Sequence, residues 1–136
     1  MPKMIFVNLP VKDLAAATAF YKAIGCEQNM QFSDANASSM MWSDAIVFML
    51  LKHDFYSTFT DKPIVDGHGV SAHLLALTVD SREEVDSIND KAAKAGGRID
   101  FRPAQDYGFM YSRAFEDLDG NVFEPVWMNP NAAPPQ

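Results

Sequence analysis

Cysteine is almost missing from this chain: Cys26 is the only one. A single thiol excludes an internal disulfide framework and a multi-cysteine zinc site, and it fits a reducing cytoplasm. Basic blocks are missing as well. Eleven Lys and Arg stand against 18 Asp and Glu, a net charge of −7, which argues against nucleic acid or an anionic membrane as partner. No apolar run approaches the ~20 residues needed to cross a bilayer. Met1–Pro10, with one Lys and no long apolar stretch, predicts no secretory leader. There is no G-x-S-x-G, no Gly-rich phosphate loop and no H-x-x-x-H or H-E-x-x-H pair, so nothing points to nucleophilic or phosphoryl chemistry.

What the chain does have is bulk and periodicity. With 136 residues and 48% hydrophobic positions, one domain can bury roughly two-thirds of the unfolded surface. Two stretches repeat one another. Ile5-Phe6-Val7-Asn8-Leu9 and Leu74-Leu75-Ala76-Leu77-Thr78 read as strands, each leading to a Val (Val11 and Val79) 68 positions apart. A helix follows each. The apolar stripes are Leu14, Ala17, Tyr21, Ile24 and then Val85, Ile88, Ala92, Ala95, 71 positions on. That is the spacing of one buried helical face, and it leaves Asp86 and Lys91 off the stripe, where exposure is expected. Asp13 and Ser81 suit the N-caps, with Ser81-Arg82-Glu83-Glu84 in capping-box form. Gly25 and Gly96-Gly97 follow the last stripe residues, where a left-handed residue commonly ends a helix.

Each half continues with a hairpin. Ala37–Trp42 into Ile46–Leu51 turns at Asp44-Ala45, and Phe109–Phe115 into Val122–Met128 turns at Asp119-Gly120-Asn121, 75 positions later. Met30–Ser33 and Arg98–Arg102 read as short preceding strands. The predicted class is α+β: two β-α-β-β-β modules, 3–52 and 72–128, with 53–71 as the connection and 129–136 as a disordered, Pro-rich tail. A module of about 60 residues is marginal alone and has open edges. The two are therefore expected to pair curved mixed sheets around a cavity, within a chain or across a dimer.

Three motifs carry a family likeness: Phe6-Val7-Asn8-Leu9-Pro10-Val11-Lys12-Asp13-Leu14, Ala19-Phe20-Tyr21 before Gly25, and Asp117-Leu118-Asp119-Gly120-Asn121-Val122-Phe123-Glu124. With them the chain resembles the vicinal oxygen chelate superfamily of glyoxalase I, bleomycin-resistance proteins and extradiol dioxygenases, over about residues 3–128. Through Ser81–Asp86 and Tyr107–Tyr111 it also resembles bacterial predicted lactoylglutathione lyases. The resemblance implies four symmetry-related ligand positions on strands, usually His, Glu or Gln, and a homodimer. The repeat registers place those positions at Phe6, Met49, Leu74 and Glu124. One carboxylate beside hydrocarbon and a thioether does not make a site for a hard divalent ion.

The candidate site is therefore Glu124, as the one retained acid, within a ligand wall of Phe6, Asn8, Met49, Leu74, Tyr107, Phe109, Tyr111 and Trp127. Each has a plainer reading: strand aromatics are commonly core, and Asn8 also suits the turn toward Pro10. Arg113 is a candidate anion contact. Alternation sends His73 to the face opposite Leu74, a one-residue slip would reverse that, and His53 and His68 fall on the connection as solvated side chains. Cys26 reads as a small buried residue.

Three functions remain open. The favoured one is a cytoplasmic binding protein that holds a small organic molecule in an apolar cavity without metal or other cofactor. The second is a lactoylglutathione lyase or extradiol-dioxygenase-like enzyme using Zn, Ni, Fe or Mn. The third is a cofactorless proton-transfer enzyme with Glu124 as base.

Overall fold

Two helices decide which side of each sheet is inside. In the computed structural model, which describes residues 3–131, α1 spans Leu14–Ala23 and a second long helix spans Arg82–Lys94. Asp13 Oδ1 accepts from Ala16 N at 3.0 Å and Ser81 Oγ from Glu84 N at 3.1 Å. The Glu84 side chain reaches back one residue beyond the N-cap, accepting from Asp80 N at 2.8 Å rather than from Ser81 N as a capping box would have it. Gly25 and Gly96 follow with φ of 115° and 99°. Ala17, Tyr21, Ile24 and Val85, Ile88, Ala92 are buried as the stripes predict.

The first module gives β1 (Ile5–Val11), β2 (Glu27–Asn29), β3 (Ala37–Met41) and β4 (Ile46–Lys52), in the order β1-β4-β3-β2. β1 and β4 run parallel, and the others antiparallel. A short helix α2 (His53–Tyr56) opens the connection. The second module gives β5 (Leu74–Thr78), the long helix α3 (82–94), β6 (Arg98–Ile99), β7 (Gln105–Asp106), β8 (Met110–Ser112), β9 (Phe115–Glu116) and β10 (Val122–Met128). β10 is central, parallel to β5 and antiparallel to β8 and β9. The architecture is the expected α+β arrangement of curved mixed sheets.

Three local expectations are corrected. The paired strand of the first module is Glu27–Asn29, and Met30–Phe32 is a 3-10 turn begun by Asn29, whose Oδ1 accepts from Gln31 N at 3.1 Å. β6 stops at Ile99 because Asp100 takes a φ of 57°, a left-handed conformation that Asp tolerates better than most residues and that turns the chain off the ladder. Phe109–Phe115 is split into β8 and β9 opposite Pro125, which has no N–H to give the ladder. There Ser112 Oγ donates to the Pro125 carbonyl at 3.0 Å. Of the expected disordered tail, Asn129 N donates to Phe109 O at 2.7 Å and Asn131 N to Asn129 Oδ1 at 2.9 Å; residues 132–136 lie outside the described residues.

The modules meet through their helix sides. Phe48 of β4 and Phe123 of β10 pack edge to face with centroids 5.3 Å apart, and Tyr21 of α1 touches both. Tyr21 is fully buried, and its hydroxyl donates to Asp117 Oδ2 at 2.6 Å. Burial first, then the Asp117 charge, pushes that phenol well above its ordinary value. Asp117 also accepts from the backbone of Asp119 and Asn121 and from Asn121 Nδ2. The D-x-D-G-N turn is therefore wound around one buried carboxylate that also joins the modules. Cys26 is buried, which drives its thiol up to about 12, well away from nucleophilic use.

Candidate functional site

Strand alternation carries the argument from core to site. Phe48 and Phe123 point inward, so Met49 and Glu124, the next residues, lie on the outer faces. Phe6 is paired with Val47 and Asn8 with Met49, which puts Phe6, Asn8 and Met49 on the outer face of the first sheet. Leu74 is paired with Val122 and Ala76 with Glu124, which puts Leu74 and Glu124 on the outer face of the second. These faces are open: Phe6 is 55% and Leu74 57% exposed.

Glu124 does not stand alone. Arg102, from the segment beyond the Asp100 turn, brings Nη2 to 2.7 Å from Glu124 Oε2, with both side chains mostly buried. Nε and Nη2 of Arg102 are buried, yet neither proton-bearing nitrogen is aligned with an acceptor; the Glu124 contact satisfies distance and charge but not direction. Arg102 is the site residue that sequence reasoning missed. A single Arg in Phe101-Arg102-Pro103 carries no period, and only the turn at Asp100 aims it at the sheet.

Arg113 has other partners. Its Nη1 donates to Asp86 Oδ1 at 2.9 Å and its Nη2 to Asp100 Oδ1 at 3.0 Å. Tyr111 and Trp127 are paired across β8 and β10 on the helix side, opposite the face of Glu124. The Arg82 guanidinium lies 4.4 Å from the Tyr111 ring centre and 5.8 Å from that of Trp127, and Tyr111 Oη donates to Asp86 Oδ1 at 2.7 Å. Asp86, expected off the buried stripe and half-exposed there, is a partner of two side chains. Burial works against its charged form, but Tyr111 and Arg113 outweigh that and hold its carboxyl below the ordinary value. Tyr107 and Phe109 pack on each other at 6.4 Å in the β7–β8 hairpin, with Tyr107 exposed.

A cleft of about 1010 Å³ lies at the seam of the modules, beside β1 and beneath the connection. Of the predicted ligand wall it includes only Asn8, together with Lys12, all three histidines and Asp119. His53 and His68 are exposed, as expected for the connection. His73 lines the cleft, which does not include Leu74, and its buried Nε2 has no partner. Asp119 Oδ1 accepts from Lys12 N at 2.9 Å. Its carboxyl is raised chiefly by burial and further by Asp117, while Lys12 N–H, His53 and His68 act in the other direction. Val122 and Glu116, on the same sheet face as Glu124, also border the cleft.

The donor set does not fit a divalent ion. Phe6 and Leu74 offer hydrocarbon, Met49 a thioether, and Glu124 is engaged by Arg102. Among the described residues no three His, Cys, Asp or Glu side chains are placed to hold a metal ion, and no helix is long and apolar enough to cross a membrane.

The family model described as Glyoxalase/Bleomycin resistance protein/Dioxygenase superfamily matches residues 3–124. Among solved structures the chain is similar to a hypothetical protein from S. aureus, with 25% identity over 93% of this chain and 94% of that one and a TM-score of 0.77. It is similar to a glyoxalase/bleomycin resistance protein/dioxygenase family enzyme from Burkholderia phytofirmans, with 21% identity over 93% and 99% and a TM-score of 0.74. A genomically encoded fosfomycin resistance protein from Listeria monocytogenes is 20% identical over 100% and 96%, with a TM-score of 0.68. No curated protein matches the chain.

Proposed function

Because the chain belongs to the glyoxalase/bleomycin resistance protein/dioxygenase superfamily, we propose that it is a member that binds a small organic molecule at its outer sheet faces without a divalent metal. One observation carries this reading. The single acid at the four symmetry-related positions is paired with an arginine, and the other three positions are apolar. A ligand there meets Leu74 and Val122 beside an internally compensated charge, a mostly apolar wall with a few polar groups, as organic-ligand sites commonly have.

The same reading assigns a second copy of the chain. Phe6, on an open edge strand, and Leu74, on another, leave apolar surface exposed on both modules. Covering one with the other across a two-fold axis buries both and encloses the site. The protein is then a cytoplasmic homodimer, in keeping with its lone buried thiol.

Native mass spectrometry of protein purified without chelator tests these points together. The expected result is two chains per particle, well below one equivalent of Zn, Ni, Fe or Mn per chain, and an organic adduct released on denaturation. One tightly held divalent ion per chain, lost on Glu124→Ala, would sink the metal-free reading in favour of a lyase or dioxygenase-like enzyme.

A further inference from the structure

Four arginines stand in the second module, and they are not used alike. Arg98, largely exposed, comes no nearer than 3.8 Å to Glu116. Arg82 donates from two nitrogens to the two oxygens of Asp106. Arg113 donates from two nitrogens to two different carboxylates, Asp86 and Asp100. Arg102 has one carboxylate near it and no aligned hydrogen bond from Nε or Nη2, although both atoms are buried. A guanidinium carries five donors and no acceptor. Leaving buried donors unpaired costs as much as a lost hydrogen bond or more, so such atoms in a folded protein call for an explanation.

We propose that Arg102 selects an oxyanion: the ligand of this site is a small organic molecule whose carboxylate or phosphoryl group takes the guanidinium donors that Glu124 leaves unaligned. This rests on the outer-face site proposed above and adds the chemistry of its ligand. Arg113 shows within the same sheet that one guanidinium can hold two carboxylates on separate nitrogens. Carboxylate and phosphoryl oxygens match the planar fork of donors, which a point charge does not. The apolar body of the ligand has its place alongside. Ala76, small and exposed, is the strand partner of Glu124, and Leu74, 57% exposed, continues the same face of β5. Glu124 keeps its contact to Nη2, so its part is to anchor Arg102 as a positioning residue on the central strand.

Calorimetric titration at low ionic strength tests this with three probes of one ring: benzoate, phenylphosphonate and benzyl alcohol. Wild type should bind at least one of the two anions about tenfold or more tighter than the alcohol, the selectivity expected of a charged hydrogen bond. Which anion wins distinguishes carboxylate from phosphoryl. Arg102→Gln should remove the preference while leaving the alcohol's affinity unchanged, and Arg102→Lys, which keeps charge but loses the fork, should retain part of it. Should Arg102→Gln fail to fold, the wild-type comparison decides alone. Equal binding of alcohol and anions overturns the role of Arg102 and leaves the apolar site standing. Binding of none of the three overturns both.

Discussion

The seam between connection and second module turns on two glycines, and substituting them separates two energies that are usually confounded. Gly120 has a φ of 86°, and a Cβ there would lie 2.3 Å from Gly67 C and 2.5 Å from His68 N. These are backbone atoms and cannot rotate aside. Gly67 faces it from the connection on ordinary backbone, and a Cβ there would lie 2.6 Å from Asp119 O. Gly108 has a φ of 79° with nothing within 4 Å. Gly108→Ala therefore incurs only the left-handed conformation, about 1–2 kcal/mol. Gly67→Ala incurs only the overlap, about 1–3 kcal/mol by analogy with an overpacked core. Gly120→Ala incurs both, about 2–5 kcal/mol. All three share the same small offset from a stiffer unfolded chain, so it cancels in the comparison. Urea unfolding at pH 7 measures the three costs. Limited proteolysis between Thr58 and Ser71 should be accelerated in the Gly67 and Gly120 variants alone, since lifting the connection opens the cleft. If Gly120→Ala costs no more than Gly108→Ala, the close approach contributes nothing and the reasoning fails.

Other outcomes follow from burial and charge. Val85→Ala and Ile88→Ala, both in the core, should each cost about 1–4 kcal/mol, while exposed Lys91→Ala stays within about 0.5 kcal/mol; equal costs by urea unfolding would mean the helical phase is wrong. Asp119 tests linkage. Its carboxyl is raised above the ordinary 3.8, chiefly by burial, so its contribution is complete below the unfolded value and is lost as pH rises through the folded one. Asp119→Asn keeps an oxygen for Lys12 N–H and should melt higher than wild type near pH 7 but not near pH 3. Parallel melting curves from pH 3 to 8 would show that Asp119 is solvated.

The two sequence halves announced their helices because helix signals are local. A stripe repeats every three or four residues, and caps sit within a turn of what they cap, so Asp13, Ser81, Gly25 and Gly96 could be read without knowing what the helices pack against. The strand alternation was also local, and it grouped Phe6, Asn8 and Met49 on one sheet face and Leu74 and Glu124 on another; the expectation that these faces wall a cavity was not local, and Phe6 and Leu74 lie exposed. Short strands were less legible. Asn29 and Asp100 redirect the backbone by side-chain capping and a left-handed conformation, and Pro125 breaks a neighbour's ladder that is distant in sequence.

By itself, then, the sequence determined the repeat, the two buried helical faces and the α+β class, since each follows from spacing along the chain; that three of the four positions implied by the family resemblance are apolar follows from the residues found there. Only the tertiary structure decided that Arg102 compensates Glu124, that Arg113 meets Asp86, that Tyr111 and Trp127 lie under Arg82, and that Tyr21 reaches Asp117 from 96 residues away. The physical reason is common to all four. A long polar side chain can satisfy itself with many partners, and which one it meets depends on how distant backbone segments are brought together, which no local period encodes.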